Sequence, residues 1–501
     1  MTAMPTPGTT SSLHSLWLDP DPRPARYPRP DADRSFDVVV LGAGITGLTT
    51  ALLLKRAGLR VAVVEAARVG SGATGHNTAK VTALQSTMLT RMATARGAEL
   101  AHAYARASAS AVEQVAAIAA EEGIDCDLRR RPTYTVAVQD TELPEIEREA
   151  ELARAAGLPV ELTSDVPLPY PVAGAVRLDQ QVQFHPVRYA RGLAAAVHGD
   201  GSAVFEDTRA VAVREGTPIS VRTTSGSLTC THVVVATHYP VFDRGGYFAR
   251  METHRSYCIA ARLSGEPPRG LLITAGSPAW SYRSAGDLLI VCGSDHVTGD
   301  RGVDEGAFTR LEHHARQHWD VAEVMYRWSA QDPVPYDHAP MIGTYTPLSS
   351  RMCVATGFAK WGLTGGTMAA RLLADQILGR PVPDTFSPHR ISPRGMPRLA
   401  RTNAKVAMDL VGDRLAPGQA RSAAEVPPGQ ARVVRSGTGR TGVFRDDDGG
   451  LHAVSMRCTH LGCLVRFNAA ERSWDCPCHG SRFDIDGSVL EGPAVTPLPP
   501  G

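Results

Sequence analysis

A glycine-rich turn between a short apolar run and a helical pattern constrains the fold of this 501-residue chain more than any other feature. The run over residues 36–41 (FDVVVL) predicts a strand that is buried on both faces. The turn over 42–47 (GAGITG) follows, and then a helical pattern ends at Gly58 and a second strand is predicted over 60–65. Together these elements form a βαβ unit, which predicts an α/β domain built on a parallel sheet.

The turn has the glycine spacing that binds the pyrophosphate of a dinucleotide. Its first glycine permits a tight turn, the second lets a phosphate approach the backbone, and the third lets helix and strand pack closely. The helix that begins here offers free N–H groups to the phosphates. Glu65 follows Gly47 by 18 residues, where a carboxylate can accept a hydrogen bond from a ribose hydroxyl. The glycines alone do not distinguish FAD from NAD.

Near the C-terminus, four cysteines and two histidines form a second informative group. The chain reads Cys458-Thr-His460 and, further on, Cys476-Pro-Cys478-His479, with Cys463 between the two pairs. Thiolates and imidazoles in such pairs suit a 2Fe–2S cluster. Zinc is the alternative, although zinc fingers usually begin with two cysteines two to four residues apart.

The other cysteines are scattered along the first 353 residues. We interpret them as small buried hydrophobic residues without a role in the chemistry. They are Cys126, Cys230, Cys258, Cys292 and Cys353.

Charge and hydropathy exclude several functional classes. The 52 basic and 51 acidic residues give a formal net charge of +1, so no overall field attracts the chain to nucleic acid or anionic lipid. No apolar run reaches the roughly 18–20 residues of a membrane span, and no basic segment precedes a short apolar one at the N-terminus. The sequence therefore predicts a cytoplasmic protein without a transmembrane segment.

Residues 36 to about 380 resemble the FAD-dependent amine and D-amino-acid oxidase superfamily, which includes glycine oxidase. The resemblance depends on the order of four motifs after the glycine turn, at residues 68–77, 231–237, 337–343 and 357–366. It implies a Rossmann-like FAD-binding domain interleaved with a substrate domain of antiparallel strands. The flavin ring would lie at their junction.

The same resemblance implies which residues contact the cofactor. The FAD-binding residues would be Gly42, Ala43, Gly44, Ile45, Thr46, Gly47, Glu65, Ala66, Arg68, Gly72, Thr74, His76, Ala236, Thr237, Gly357, Lys360, Gly362, Leu363 and Thr364. For His76 two alternatives are open, a covalent bond to the flavin or a polar contact with a noncovalent one.

The catalytic residues are not assigned by the sequence. The candidates are Arg283, Tyr282, Lys360 and Trp361. Several amino-acid oxidases of the superfamily have an arginine shortly before the motif at 337–343 that binds a substrate carboxylate. The stretch 328–336 of this chain contains no arginine. A free α-amino acid would therefore require Arg283 to take that role.

Residues 425–501 resemble the Rieske 2Fe–2S domain. The resemblance implies that Cys458 and Cys476 bind one iron, that His460 and His479 bind the other, and that Cys463 and Cys478 form a disulfide. Neutral imidazoles in place of two thiolates raise the reduction potential of such a cluster.

The predicted organisation is an extended leader over 1–35, an FAD-dependent body over 36–380, a proline-rich linker over 381–424 and a small all-β Rieske domain over 425–501. Within the body we predict a helical region over 87–122 with a break near Gly97. Further helices are predicted over 142–156, 363–378 and 403–410, and a strand over 133–138.

The combination of cofactors predicts a flavin-dependent amine dehydrogenase. A primary or secondary amine would reduce FAD, and the cluster would pass electrons singly to an external partner such as a ferredoxin, cytochrome or quinone. One alternative is a reductase that runs in the reverse direction from a ferredoxin. Another is a redox-sensing or electron-transfer protein without a metabolic substrate.

The potential of the cluster gives a first testable prediction. Rieske proteins of cytochrome bc complexes have a tyrosine two residues after the position of Ser481, and its hydroxyl binds the cluster; this chain has Phe483 there. Substitution Phe483→Tyr should raise the midpoint potential, because it adds one hydrogen bond to the cluster. A redox titration followed by EPR measures the shift, and an unchanged midpoint would contradict this role for position 483.

Overall fold

The computed structural model describes residues 13–19, 26–31, 33–242, 244–303, 305–415, 418–436 and 439–501. Parts of the predicted leader, residues 1–12, 20–25 and 32, lie outside the described residues. Within the leader, Trp17 is buried and its indole Nε1 donates a hydrogen bond to the carbonyl of Asn77 over 2.6 Å. The described part of the leader is therefore anchored beside the stretch that follows the dinucleotide turn.

The helices follow the sequence pattern closely. They are α1 (Ile45–Arg56), α2 (Met88–Arg96), α3 (Ala98–Glu121), α4 (Leu143–Ala155), α5 (Pro186–Val197), α6 (Ala307–His318), α7 (Gly362–Ile377) and α8 (Met396–Leu415). The predicted break near Gly97 is confirmed, because this residue has φ +94° and separates α2 from α3. Only a residue that tolerates positive φ turns the chain there without strain.

The strands of the body lie between these helices, and the eight strands β7 to β14 follow one another between α5 and α6. They are β1 (Arg34–Leu41), β2 (Val61–Val64), β3 (Lys80–Val81), β4 (Arg129–Ala137), β5 (Glu161–Thr163), β6 (Gly174–Gln183), β7 (Ala203–Phe205), β8 (Ala210–Arg214), β9 (Ile219–Thr223), β10 (Gly226–Val235), β11 (Met251–Leu263), β12 (Leu271–Thr274), β13 (Ser281–Ala285), β14 (Leu288–Val297), β15 (Val321–Pro335), β16 (Met341–Thr344) and β17 (Met352–Thr356).

Two sheets form the body. One has the strand order β16-β17-β10-β1-β2-β7, and all neighbouring strands from β17 to β7 are parallel. The strands β8 and β9 are attached to this sheet through β10. The other has the order β15-β11-β14-β13-β12-β4-β6-β3, with β5 beside β6. Its pairs are antiparallel apart from β12 with β4. The predicted Rossmann-like domain with an interleaved antiparallel domain is confirmed.

The C-terminal domain consists of two small antiparallel sheets. The first has β18 (Ala431–Ser436), β19 (Gly439–Arg445) and β20 (Leu451–Ser455), and the second has β21 (Arg466–Asn468), β22 (Ser473–Asp475), β23 (Arg482–Phe483) and β24 (Val489–Glu491). Phe444, Trp474 and Phe483 are buried in the core between them, together with the cysteines. The predicted all-β class of this domain is confirmed.

The segment predicted as a linker contains more structure than its composition indicates. The short helix expected over 403–410 is the centre of α8, which is 20 residues long. Leu399 packs against the core of the body, whereas Val406 and Leu410 pack against the core of the C-terminal domain. The helix is therefore longer than predicted because both of its ends are supported by tertiary contacts that no local pattern reports.

A buried ion pair attaches the start of this segment to the body. Arg390 and Asp337 are 8% and 0% exposed, and the guanidinium makes two hydrogen bonds of 2.8 Å to the carboxylate. The same guanidinium donates to the carbonyls of Pro340 and Phe386. Each charge is therefore compensated within the protein interior.

None of the helices in the described ranges has the length and apolar character that a membrane crossing would require.

We expect Arg390→Met to destabilise the protein strongly. The substitution leaves the carboxylate of Asp337 buried without its cation, a loss of about 3–5 kcal/mol in the free energy of unfolding. Denaturant unfolding of the intact chain measures the change. Arg380→Met is the matched control, because Arg380 is exposed and its pair with Asp375 is worth about 0–1 kcal/mol. Equal effects of the two substitutions would contradict this assignment.

Candidate active site

A single cavity of about 770 Å³ lies where the two sheets of the body and the C-terminal domain meet. Its first wall is the carboxyl edge of the parallel sheet, with the glycine turn. Its second wall is one face of the antiparallel sheet. Residues 489–492 of the C-terminal domain contribute to the third wall. All three structural units therefore contribute to one site.

The glycine turn is packed so closely that a residue with a side chain would not fit at its first and third glycines. A Cβ atom on Gly42, whose φ is +103°, would lie 2.5 Å from the carbonyl oxygen of Ala236. A Cβ on Gly47 would lie 2.0 Å from the carbonyl oxygen of Gly42. Gly44 is the N-cap of α1 and places no side chain over the first amides of the helix. The amide of Ile45 donates to the hydroxyl of Thr74 over 3.1 Å, and the start of the helix lines the cavity, where N–H groups of a first turn suit an anionic phosphate.

Glu65 is held at the end of β2 by its neighbours. Its carboxylate accepts hydrogen bonds from the backbone amides of Ala43, over 2.8 Å, and Ala67, over 2.9 Å. Burial raises the pKa of Glu65, and these two bonds oppose that change. A buried carboxylate at this edge fits a ribose hydroxyl as a further donor.

Most of the residues assigned to FAD by resemblance lie together on this cavity. They are Gly42, Gly44, Ile45, Thr46, Glu65, Ala66, Gly72, Thr74, His76, Ala236, Thr237, Lys360, Gly362 and Leu363. Trp361 lies beside them. Nδ1 of His76 donates a hydrogen bond to the carbonyl of Gly72 over 3.0 Å, and burial lowers the pKa of His76.

The remaining assigned residues are not among those that line the cavity, and their contact with FAD stays a prediction. The backbone amide of Ala43 donates to the carboxylate of Glu65, and Gly357 lies against Pro335. Arg68 forms an ion pair of 2.7 Å with Glu206. Thr364 is buried, and its hydroxyl accepts a hydrogen bond from the amide of Thr82.

Two of the catalytic candidates lie away from the cavity. Tyr282 projects from the opposite face of its sheet, because side chains alternate along a strand, and its hydroxyl contacts Tyr170 and His314. Arg283 is buried behind the cavity wall, where it donates to the carbonyls of Thr78 and Ala79. The guanidinium of Arg283 is therefore engaged by backbone carbonyls, and its role as a carboxylate clamp stays a prediction.

The cavity face of the antiparallel sheet carries a row of four residues, of which sequence reasoning missed the two cysteines. Ser281, Cys292, Cys258 and Trp328 are directly paired across β13, β14, β11 and β15. Directly paired residues project on the same side, and all four line the cavity. The alternation of these strands was visible in the sequence, but which face is directed at the cofactor depends on how the sheets close.

In the C-terminal domain, two loops present the predicted cluster ligands. The thiols of Cys458 and Cys476 lie within hydrogen-bonding distance, and the rings of His460 and His479 are 5.1 Å apart at 89°. Cys463 and Cys478 form a disulfide that joins the two loops, as the resemblance implied. Gly480, with φ +78°, turns the second loop.

This donor set fits a 2Fe–2S cluster. Two thiols and two imidazoles converge, and both cysteines are buried. Nδ1 of His479 is also buried, and the described residues place no hydrogen-bond partner on it. A buried polar atom in that state suits a metal as its partner. The residues that would bind the irons are Cys458, Cys476, His460 and His479.

A buried ionic network holds the C-terminal domain on the body. Arg255 of β11 is 1% exposed, and its guanidinium donates to the carboxylate of Glu471 over 2.7 Å. Arg482 binds the same carboxylate over 3.0 Å. Both arginines also approach Glu491, at 3.5 and 3.2 Å. Burial by itself would raise the pKa of Glu471. Two guanidinium groups face its carboxylate, however, and the pKa is lowered overall.

Gln331 joins the FAD-binding loop to the cluster loop. Its side-chain Nε2 donates to the carbonyl of Gly480 over 2.8 Å, and its Oε1 accepts from the hydroxyl of Thr298. Its backbone carbonyl bonds the ring of His238 over 2.6 Å, and His238 directly follows Thr237. Phe248 of the body covers the imidazole pair, with its ring 5.1 Å from that of His479.

The fold and site define a flavoprotein oxidoreductase that carries an iron–sulfur domain. Residues 37–376 match the family described as FAD dependent oxidoreductase, and residues 418–500 match the Rieske [2Fe-2S] domain. The chain therefore belongs to the FAD-dependent oxidoreductase family, and its cofactors are FAD and a 2Fe–2S cluster.

Relatives share either the whole arrangement or the body alone. The chain is 34% identical over 482 residues to a protein of Bacillus subtilis (strain 168) that carries the name Rieske 2Fe-2S iron-sulfur protein YhfW, with 94% of each chain covered. It is 26% identical to the gamma-glutamylputrescine oxidoreductase of Escherichia coli (strain K12), over 68% of this chain and 84% of the other.

A solved structure with the same body fold is the glycine oxidase from Geobacillus kaustophilus. The two share 20% sequence identity and a TM-score of 0.60, over 71% of this chain and 99% of the other. This likeness shows the fold of the body.

We expect Arg255→Leu to loosen the C-terminal domain. The substitution leaves Glu471 buried with one cation fewer, which should cost about 3–5 kcal/mol. Hydrogen exchange over 466–491 should become faster, whereas Arg262→Leu, on the same strand with an exposed pair to Asp287, should leave it unchanged.

In the wild type, the contact between the C-terminal domain and the body should also weaken in acid. The carboxylate of Glu471 has a lowered pKa in the folded protein. Its contribution to stability is therefore complete above the ordinary pKa of about 4.3, and it is lost as the pH falls from that value through the lower pKa of the folded state. Arg255→Leu should flatten this dependence. Identical exchange in the two proteins across pH would contradict the role of the network.

Proposed function

We propose that this protein is an amine dehydrogenase that oxidises a primary or secondary amine at FAD and passes the electrons singly through its Rieske cluster to an external acceptor. The gamma-glutamylputrescine oxidoreductase named above supports an amine substrate. The glycine oxidase and an L-proline dehydrogenase from P. horikoshii, which has a TM-score of 0.61 and 18% identity, carry the names of α-amino acids with a primary and a secondary amino group.

The observation that carries the proposal is the cavity shared by the cofactor-binding body and the cluster domain. Glu491 and Leu490 of the cluster domain line the same cavity as Gly42 and Trp361. Gln331 provides a continuous hydrogen-bonded connection from His238 to the cluster loop. A domain that only bound an external partner would not need to complete this cavity.

The charges around the cavity favour an amine without a nearby carboxylate. Of the arginines among the described lining residues, Arg255 and Arg482 are both engaged by Glu471 and Glu491. The third, Arg209, faces Glu65 at the dinucleotide end. A free α-amino acid would therefore find no uncommitted guanidinium beside the antiparallel sheet.

The described side chains suggest how the substrate is held. Bound FAD accepts a hydride from the C–H bond next to the nitrogen, and the cluster carries one electron at a time. Trp280 and Trp328 line the cavity and exclude water from this bond. Lys360 forms an ion pair with Asp295 at the cavity edge, so this acid is not a free anion for the substrate ammonium.

Oxidation removes two electrons and two protons from the amine and leaves an imine. Water then converts the imine into a carbonyl compound and the released amine. Because the cluster carries one electron at a time, each amine oxidised requires two successive one-electron transfers from the cluster to the acceptor.

Anaerobic mixing of the holoenzyme with a series of amines tests the proposal. We expect primary or secondary amines to bleach the flavin absorbance, followed by the EPR signal of a reduced cluster. Free α-amino acids should react more slowly than amines that lack the carboxylate. Reduction of the flavin by a reduced ferredoxin, with no reaction to any amine, would overturn the dehydrogenase in favour of the reverse reductase. A flavin that responds to neither would indicate a redox protein without a metabolic substrate.

Substitution of Gln331 tests the internal route separately. Gln331→Leu preserves the volume of the side chain but removes its bonds to Thr298 and Gly480. Loss of these buried hydrogen bonds, each worth about 0.5–1.5 kcal/mol of stability, should loosen the contact with the cluster loop and slow transfer to the cluster. Flavin bleaching by the amine should keep its rate. Gln317→Leu, on the surface of α6, is the control, and equal cluster reduction in both variants would exclude a route through Gln331.

A further inference from the structure

Two cysteines that the sequence classed as bystanders face each other in the cavity. Cys258 on β11 and Cys292 on β14 are direct cross-strand partners, with regular pairing at their neighbours Ile259 and Val291. Their side chains are in hydrogen-bonding contact, and both line the cavity. Cys258 is 1% exposed, whereas Cys292 is partly exposed.

The geometry of such a pair permits a disulfide. Direct partners in antiparallel strands have Cα atoms about 4.5 or 5.5 Å apart. Disulfides usually span Cα distances of about 4.4–6.8 Å. The bond between Cys258 and Cys292 can therefore form without a change of register between β11 and β14.

A lysine lies beside the two thiols. Lys80 is 6% exposed, and its ammonium donates to the hydroxyl of Ser281, the cross-strand partner of Cys292, over 2.6 Å. Burial lowers the pKa of Lys80 to about 7, and the charges of Cys292 and Cys258 oppose that change. Burial raises the pKa of the Cys258 thiol, and the charge of Lys80 opposes that change.

The other cysteines do not share this setting. Cys126, Cys230 and Cys353 are buried and lie outside the residues that line the cavity. Burial raises the pKa of each of their thiols, as it does for Cys258, so the difference lies in the position of the pair on the cavity. They provide internal controls in the same chain.

We propose that Cys258 and Cys292 are a third redox centre, a dithiol that closes to a disulfide by giving two electrons to FAD in the same cavity. The two S–H bonds break, one S–S bond forms, and two protons and two electrons pass to FAD, which becomes FADH₂. In the reverse direction the reduced flavin reopens the disulfide. The pair would store one two-electron equivalent next to a cluster that accepts electrons singly.

A reductive titration of the holoenzyme tests this centre without any amine, so its outcome is independent of the proposed function. Protein oxidised with ferricyanide is titrated with dithionite under anaerobic conditions. The wild type should consume two more electrons per chain than Cys292→Ser, because the disulfide is a two-electron couple. Cys353→Ser, which changes a buried thiol outside the cavity, should match the wild type.

Peptide mapping of the wild type gives a second measurement that requires no variant to fold. Samples alkylated in acid before and after reduction should contain the linked Cys258 and Cys292 peptides only when oxidised, with Cys230 and Cys353 as free thiols throughout. Lys80→Met, which removes the cation beside the two thiols, should slow closure of the disulfide, whereas Lys55→Met, outside the residues that line the cavity, should not. Free thiols at both positions in the oxidised protein, or equal electron counts in wild type and Cys292→Ser, would overturn the proposal.

Discussion

The arrangement of this protein depends on a buried ionic network between two domains. Arg255 of the antiparallel sheet and Arg482 of the Rieske domain bind the carboxylate of Glu471 from two sides. Desolvated charges are tolerated only when their partners are held in place, so the network specifies one relative position of the domains. The third wall of the cavity, the cover of Phe248 over the imidazoles and the bond from Gln331 to Gly480 all require that position.

A fixed junction changes what the two cofactors can do together. An iron–sulfur domain on a free tether would meet the flavin intermittently, whereas here its loop is hydrogen-bonded to a residue that also contacts the FAD-binding loop. The helix α8 reinforces this position, because it packs on the cores of both domains. The connection is therefore a structural element, and the proposed relay needs no large domain movement.

The fold was largely predictable, because each of its signals is local. The glycine turn, the apolar run before it and the helix after it are consecutive in the chain, and the break at Gly97 is a single residue with positive φ. The cluster residues are likewise close in sequence. In the cavity, by contrast, the candidates Arg283 and Tyr282 are not among the lining residues, whereas Lys80, Cys258 and Gln331, which the sequence did not single out, are. Their positions depend on which strand faces are directed at the cofactor.

By itself the sequence determined the two cofactor classes and the order of the domains, since the residues of each motif are neighbours along the chain. The tertiary structure alone decided how the motifs share one site. Arg255 and Glu471 are separated by 216 residues, and Gln331 and Gly480 by 149. Contacts between such distant residues form only after the sheets have packed, because burial and cross-strand pairing, and not local periodicity, select which side chains meet.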